Sequence, residues 1–266
     1  MLGYLGVTMV RRFQHPVFAL QYDLSEGDRS RLGDREWYAE RLSGCRGPIL
    51  ELGAGTGRIT LPVAHAGHDV IAVDIGQPML RRLRQKLAER RAAPGSVRAV
   101  CADMRQLPFP DRAAAAAFSA YNSLGCLLEP ADLTRTCREI HRLLEPGAAF
   151  LFDVPVPGRT EPYVAKGPLR EEEWELPDGG RIARTATVLA PAARGTLRLE
   201  YAFRWCDANG VTGEEAVRFE LNTWSPALYA ERAEAAGFTV VRREEPTFHD
   251  RSGRERVWAF FELRRE

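Results

Sequence analysis

From about residue 48 onward, apolar runs alternate with helical patterns, which is how a parallel sheet covered by helices on both faces is encoded. Pro48-Ile49-Leu50-Glu51-Leu52 predicts a buried strand, the glycines after it a turn, and Arg58 to Ala66 a helix closed by Gly67. Asp69-Val70-Ile71-Ala72-Val73-Asp74 supplies a second strand. Leu80, Leu83 and Leu87 mark the next helix, with Pro78 in its first turn and Pro94-Gly95 ending it. Val97 to Cys101 is a third strand. Ala113 to Tyr121 opens with five alanines, which favour helix by propensity, but the alternation of elements demands a strand, and a strand is predicted. Asp132 is placed as the cap of a helix with Leu133, Cys137, Ile140 and Leu144 on one face. Pro146-Gly147 ends that helix before the apolar strand Ala148 to Val154.

The regular alternation then stops. Between residues 156 and 224, β-like runs are punctuated by Asp178-Gly179-Gly180, Ala193-Arg194-Gly195 and Asn209-Gly210, which predict hairpin turns and hence an antiparallel insertion. Ser225 as N-cap and Pro226 restart a helix through Leu228, Tyr229 and Ala233 to Gly237. Phe238 to Arg242 and Val257 to Leu263 are closing strands. The expected fold is α/β: a Rossmann-like, doubly wound, seven-stranded sheet with an inserted antiparallel β-sheet. Residues 1–45 are expected to form an N-terminal helical cap, including a helix over 28–44. Residues 46–155 and 226–266 form the Rossmann-like domain, and residues 156–225 the inserted lid or dimerisation region.

Composition narrows the function classes. Lys and Arg total 37 against 36 Asp and Glu, so no global positive charge gathers a polyanion, and nucleic acid is disfavoured as a partner. The basic run Arg81-Arg82-Leu83-Arg84-Gln85-Lys86 fits the outer face of an amphipathic helix. Cys45, Cys101, Cys126, Cys137 and Cys206 are scattered and odd in number, which argues against a zinc cluster and a disulfide framework and for a reducing, cytoplasmic setting. His65, His68 and His141 fall on or beside helices without metal-ligand pairing, His15 is unplaced, and no metal is expected. The apolar first residues lack a preceding basic residue and soon meet Arg11-Arg12 and Pro16, so neither a signal peptide nor a membrane span is predicted.

The chemistry centres on Glu51-Leu52-Gly53-Ala54-Gly55-Thr56-Gly57. This turn follows an apolar strand, opens a helix, and is followed 19 positions after Gly55 by Asp74 at the end of the next strand, where an acid can accept both ribose hydroxyls. A dinucleotide would need a third glycine where Arg58 stands, to seat its pyrophosphate on the helix N-terminus. With G-x-G-x-G spacing and Glu51 before the turn, the geometry suits a zwitterionic amino acid: backbone N–H groups face its carboxylate and Glu51 attracts its ammonium. An adenosyl amino acid is favoured over NAD.

These residues resemble the first motif of class I S-adenosylmethionine-dependent methyltransferases of the small-molecule, natural-product tailoring type, across roughly residues 46–155 and 226–266. The resemblance implies that Gly53, Ala54, Gly55, Thr56, Gly57 and Arg58 approach the methionine part of the cofactor, and that Asp74, beside Ile75, holds the ribose. It also implies that Asp103-Met104 holds the adenine and that Met79 packs on its face. Gln21-Tyr22-Asp23 resembles the N-terminal segment whose tyrosine covers the cofactor. Tyr121-Asn122-Ser123, at the carboxyl end of the fourth strand, is the acceptor edge, and it lacks the Asn/Asp-Pro-Pro-aromatic stretch with which relatives of this fold hold a planar amino nitrogen.

The insertion occurs in related amino-sugar N-methyltransferases, where it covers substrate or pairs subunits, so a homodimer through the inserted sheet is the implied assembly. Glu172, Trp174, Arg181, Tyr201, Arg204, Trp205 and Trp224 are its polar and aromatic candidates, with Trp174 and Trp224 assigned to substrate beside Asn122 and Ser123. His249, in a hairpin between the last strands, is a candidate base, with Tyr121 and Asn122 as the other catalytic candidates. The expected reaction is in-line methyl transfer to oxygen, nitrogen or activated carbon of a small molecule, with S-adenosylhomocysteine as product. Two alternatives stay open: a cyclase or isomerase that keeps the methyl, and a non-catalytic cofactor-binding module.

Overall fold

A computed structural model describes residues 16–25, 32–89, 94–159, 167–176, 178–193, 195–249 and 255–266. The chain order begins α1 (Pro16–Leu24), α2 (Asp34–Leu42), β1 (Ile49–Leu52), α3 (Thr60–His65), β2 (Val70–Asp74), α4 (Gln77–Glu89) and β3 (Val97–Cys101). It continues with β4 (Ala114–Ser119), a 3₁₀ turn (Ser123–Cys126), α5 (Pro130–Leu143) and β5 (Leu144–Pro155). Strands β6 (Gly167–Glu175), β7 (Arg181–Ala193), β8 (Thr196–Cys206) and β9 (Thr212–Asn222) follow. Last come α6 (Pro226–Glu234), β10 (Phe238–Glu244), β11 (Thr247–His249) and β12 (Glu255–Arg265).

The main sheet runs β10-β12-β5-β4-β1-β2-β3, with β11 added beside β12. Strands β3, β2, β1, β4 and β5 are parallel, and β12 inserts antiparallel between β5 and β10. From β1 the chain winds outward to β2 and β3, then returns to build β4 and β5 on the other side. The strand order therefore reverses between β1 and β4, the place where an open α/β sheet leaves a crevice at its carboxyl edge. The Gly-rich turn follows β1 and Tyr121-Asn122 follows β4, so topology alone brings them together.

The alanine run is a strand because it lies in the middle of this sheet. Ala114 and Ala117 face α5 and share a core with Leu133, Cys137 and Ile140, while Ala116 and Phe118 face Tyr38 and Leu42 of α2. Small side chains let helices approach both faces, and burial overrides the helical propensity of alanine. A register shift between Ala114 and Ala116 accommodates the crowding.

Several boundaries differ from the sequence expectation. Glu129, not Asp132, is the N-cap of α5, because Pro130 takes the first helical position; Asp132 lies in the first turn and binds Arg105. Leu144 leaves the helix and starts β5 with extended backbone, pairing with Ala114. The helix expected over 58–66 is helical only from Thr60 to His65, since Gly55 (φ +57°) and Gly57 (φ +89°) keep the preceding residues in turns. Of the helix expected over 28–44, Asp34–Leu42 is helical and residues 28–31 lie outside the described residues. Helix α1, which no periodicity argument had picked out, carries Tyr22.

The insertion is a separate four-stranded antiparallel sheet, β6-β7-β8-β9. Trp174, Ile182, Phe203 and Val217 from its strands pack with Phe18 and Ala19 of α1 and with Met79 of α4. Helix α1 is therefore clamped between the second sheet and the Rossmann-like unit. Asn222, at the end of β9, fastens the sheet again: its amide donates to the carbonyls of Leu124 (3.2 Å) and Leu127 (2.8 Å), and its oxygen accepts from the Tyr229 hydroxyl (2.5 Å). No described helix is long and apolar enough to cross a membrane.

Candidate active site

Three left-handed glycines shape the turn after β1: Gly53 (φ +71°), Gly55 (φ +57°) and Gly57 (φ +89°). At Gly53 a Cβ would overlap the Ser123 side chain, and at Gly57 it would overlap Leu83. Gly55 is different. A Cβ there would meet only the ends of two side chains, Met79 Cε at 3.4 Å and Tyr22 Cε1 at 3.7 Å. Gly53 and Gly57 thus answer to packing, whereas Gly55 backs a niche walled by Met79 and Tyr22.

Asp74 is 6 % exposed and accepts hydrogen bonds from the N–H of Gly55 (2.8 Å, Oδ2) and of Gly76 (2.7 Å, Oδ1). It therefore staples the Gly-rich turn to the end of β2. Ile75 is half-buried beside it, its carbonyl taking the Cys101 thiol at 3.6 Å. Glu51 is 2 % exposed and accepts a short hydrogen bond from the Thr60 hydroxyl. Burial pushes its carboxyl up to about 8, against the opposing pull of Thr60 and Arg58. A buried carboxyl held neutral in this way gains most from a cationic ligand, which an adenosyl amino acid supplies as ammonium and sulfonium. On this observation and the Gly55 niche, the residues fit the cofactor.

Arg58 does not face that niche. Its guanidinium is buried and makes two bonds to Asp34 of α2, Nη1–Oδ1 at 2.7 Å and Nη2–Oδ2 at 2.5 Å, and lies 5.2 Å from the Tyr121 ring centre. The assignment of Arg58 to the cofactor is corrected to a strut joining the turn to α2. Asp103 is half-buried, and Arg105 grips it through Nε (3.0 Å) and Nη2 (2.7 Å) while reaching Asp132. Although burial opposes it, that guanidinium holds the Asp103 carboxyl below its usual range. Met104 packs its side chain on the main core, and Thr56 and Ala54 are buried within the turn. Asp23, next to Tyr22, is bonded by Arg82 (2.7 Å) and Lys86 (2.9 Å), which anchors α1 on α4.

At the acceptor edge, Tyr121 (φ +52°) and Asn122 (φ +56°) are consecutive non-glycine residues in the left-handed region. Their N–H groups donate to Asp153 of β5, at 2.9 Å and 3.3 Å. The Tyr38 hydroxyl donates to the same carboxylate at 2.6 Å and to the Ser119 carbonyl at 3.1 Å. Ser123 donates to the carbonyls of Ala120 (2.8 Å) and Gly53 (3.4 Å), tying the edge to the Gly-rich turn. The Asn122 Oδ1 atom is buried with no hydrogen-bond partner among the described residues. The Tyr121 ring stacks on Trp258 of β12, centres 5.2 Å apart.

The second sheet brings some candidates to this region and leaves others away. Trp174 is 9 % exposed in the cluster with Met79 and Phe18, and its indole N–H is buried without a partner among the described residues. Arg184, which the sequence argument passed over, stacks over Tyr201 (4.4 Å) and pairs with Glu172. Trp224 belongs to the main core with Phe152 and Tyr229, so its assignment to substrate is corrected to packing. Phe248 packs toward Tyr121 and Trp258, which turns its neighbour His249 to the opposite, exposed face of β11. The structure does not bring His249 to the acceptor edge. Asp34, Tyr38, Asp153 and Asn222 are the site-building residues that sequence reasoning missed. Only Asp153 carried a signal, as a lone acid inside the apolar run Phe150-Leu151-Phe152-Asp153-Val154.

Comparison with known proteins agrees with this geometry. Residues 49–147 match a methyltransferase domain family. It is this stretch, residues 49–147, that carries the S-adenosylmethionine-dependent methyltransferase domain. Its likeness to the putative methyltransferase YqeM of Bacillus subtilis is 30 % identity, over 41 % of this chain and 42 % of that protein. The chain spans about half, or less, of the length of the curated relatives it matches. Among solved structures, the CcbJ methyltransferase of Streptomyces caelestis is 28 % identical with a TM-score of 0.63, covering 87 % of this chain and 88 % of that one. SAM-bound CalS10, an amino pentose methyltransferase of Micromonospora echinaspora, shares the fold at 18 % identity and a TM-score of 0.59, covering 90 % and 91 %. The domain's Rossmann-like sheet and its cofactor thus agree with the sequence expectation.

Proposed function

We propose that this protein methylates an oxygen, nitrogen or activated carbon of a small, natural-product-type acceptor held between the Tyr121-Asn122 edge and the second sheet. The observation that carries this reading is the Gly55 niche, walled by Met79 and Tyr22, in a turn at the switch point that is joined to the acceptor edge through Gly53 and Ser123. When bound, S-adenosylmethionine supplies a methyl on a sulfonium; the acceptor's lone pair forms the new bond, the C–S electron pair stays on sulfur, and an N–H or O–H acceptor releases a proton.

In this reading Glu51 and Asp74 hold the amino acid and ribose ends, Asp103-Met104 the adenine, and Tyr22 covers the methionine part. Because the methyl is already activated, alignment within about 3 Å and exclusion of water dominate catalysis. The protein's task is to hold the acceptor in line: Asn122 Oδ1, an acceptor without a donor among the described residues, suits the N–H or O–H of an incoming nucleophile. Trp174 offers a buried donor on the second sheet, suited to an oxygen elsewhere on the same molecule. The amino pentose named for CalS10 carries both group types, which favours an amine or hydroxyl on a polyhydroxylated acceptor.

The test is incubation with methyl-labelled cofactor and either an extract of the producing organism or a panel of aminosugars and phenols, followed by mass analysis. A product heavier by one methyl, with S-adenosylhomocysteine formed in equal amount, is expected. Tight cofactor binding with an isomeric product and unconsumed cofactor would replace transfer by cyclase or isomerase chemistry.

A further inference from the structure

The acceptor edge owes its shape to a residue outside the cofactor motifs. Two successive non-glycine residues in the left-handed region turn their N–H groups to one side and form a small anion-binding concavity, a backbone nest. Here the anion is internal. Asp153, 0 % exposed on β5, places Oδ1 on the Tyr121 N–H and Oδ2 on the Asn122 N–H. Without that carboxylate the Tyr121 N–H would lose its 2.9 Å acceptor and the unfavourable φ angles a compensating contact, while the Asn122 N–H would keep the Asp153 backbone carbonyl at 3.3 Å.

The same carboxylate is where three parts of the site meet. From α2 come the Tyr38 hydroxyl and Asp34; from the Gly-rich turn comes Arg58, bound to Asp34 and facing the Tyr121 ring. Beyond the corner, Ser123 bonds the Gly53 carbonyl, and the space at Gly53 is so filled by Ser123 that turn and corner must move together. On the other side, β12 presents the apolar Phe260 opposite Asp153.

We propose that Asp153 is a positioning residue: its carboxylate fills the Tyr121-Asn122 nest and thereby sets the acceptor edge, and through Ser123 the Gly-rich turn, in the geometry that binds cofactor. This rests on the reading that the Gly55 niche holds S-adenosylmethionine. Burial and the neighbouring Asp34 push the Asp153 carboxyl up to about 7, against the pull of Tyr38, the Tyr121 N–H and Arg58. Its charge therefore changes near neutrality, and a protonated Asp153 has one fewer acceptor for the two N–H groups it holds.

The experiment is calorimetric titration with S-adenosylhomocysteine across about pH 6 to about pH 8, for wild type, Asp153→Asn and Tyr38→Phe. Asp153→Asn keeps the shape but turns an N–H₂ toward one of the two backbone donors. Its affinity is expected to fall about ten-fold or more at the alkaline end, the scale of one lost charged hydrogen bond. Glu51 titrates in all three proteins, so the difference between the profiles belongs to Asp153: wild type should lose more affinity on acidification than Asp153→Asn does. The near-ultraviolet signal of Trp258, stacked on Tyr121, should follow pH in wild type more than in Asp153→Asn. If Asp153→Asn does not fold, Tyr38→Phe decides, because losing the hydroxyl donor should move the wild-type fall in affinity to higher pH. A folded Asp153→Asn with wild-type affinity and profile, or a Tyr38→Phe profile that does not move, overturns the proposal alone. Wild type that does not bind S-adenosylhomocysteine overturns the cofactor reading, and the proposal with it.

Discussion

Arg58 stands where a dinucleotide site would need glycine, and the structure turns it away from the ligand into a sealed pair with Asp34, the two side chains 4 % and 0 % exposed. Replacing Asp34 by Ala strands a guanidinium in the interior without its bidentate partner, leaving it only the longer-range pull of groups such as Asp153 and Glu51. Breaking a buried pair from one side costs about 3–5 kcal/mol. With a urea slope of about 3 kcal/mol/M, the unfolding midpoint should fall by about 1–1.7 M. Arg58→Met should be comparably harsh, because it leaves the Asp34 and Asp153 carboxyls near each other in the interior without their shared cation. The double variant Asp34→Leu/Arg58→Met removes both charges and fills the volume, so it should return close to wild type, giving a coupling energy of about 3 kcal/mol or more. Urea unfolding followed by tryptophan fluorescence measures all four proteins, and S-adenosylhomocysteine titration of the double variant should stay within a few-fold of wild type. Additive losses, or a folded double variant unable to bind, would show that Arg58 serves the ligand and not the fold.

Three further outcomes follow from the site. Gly55→Ala should fold with a penalty of about 1–2 kcal/mol from its left-handed φ and lose cofactor affinity, whereas Gly53→Ala should cost more stability because it overlaps Ser123; equal effects on calorimetric affinity and on thermal midpoint would place the niche elsewhere. Glu51 has a folded pKa raised to about 8, so its stabilising contribution is full below its ordinary carboxyl range and is lost as pH rises toward 8; the cofactor-free thermal midpoint should fall over that window, and Glu51→Gln should flatten the fall. His249→Gln should leave turnover, measured as S-adenosylhomocysteine release, within a few-fold of wild type, since the imidazole faces solvent on β11; a loss of two orders of magnitude would make it the base.

Much of the fold was legible because its signals are local. Gly53, Gly55 and Gly57 between an apolar strand and a helix, Asp74 at the next strand end, and the glycine-bearing hairpin turns of the insertion each depend on a few neighbouring residues. Even the strand at Ala113–Tyr121 could be inferred, since the order of elements outweighed alanine's own preference. Side-chain partners are another matter. Asp34, Tyr38, Arg58 and Asp153 are separated by up to 119 positions and meet only because α2 packs over β4 and β5. Whether Trp224 lines a pocket or fills a core, and which way His249 points, depends on which face of a strand meets another layer, and alternation along one strand cannot specify that. The sequence by itself determined the cofactor class, through backbone freedom at glycines and the spacing to one acid. Only the tertiary structure decided that Arg58 is a strut and that the acceptor edge rests on a buried carboxylate, because long-range charge pairing is settled by packing.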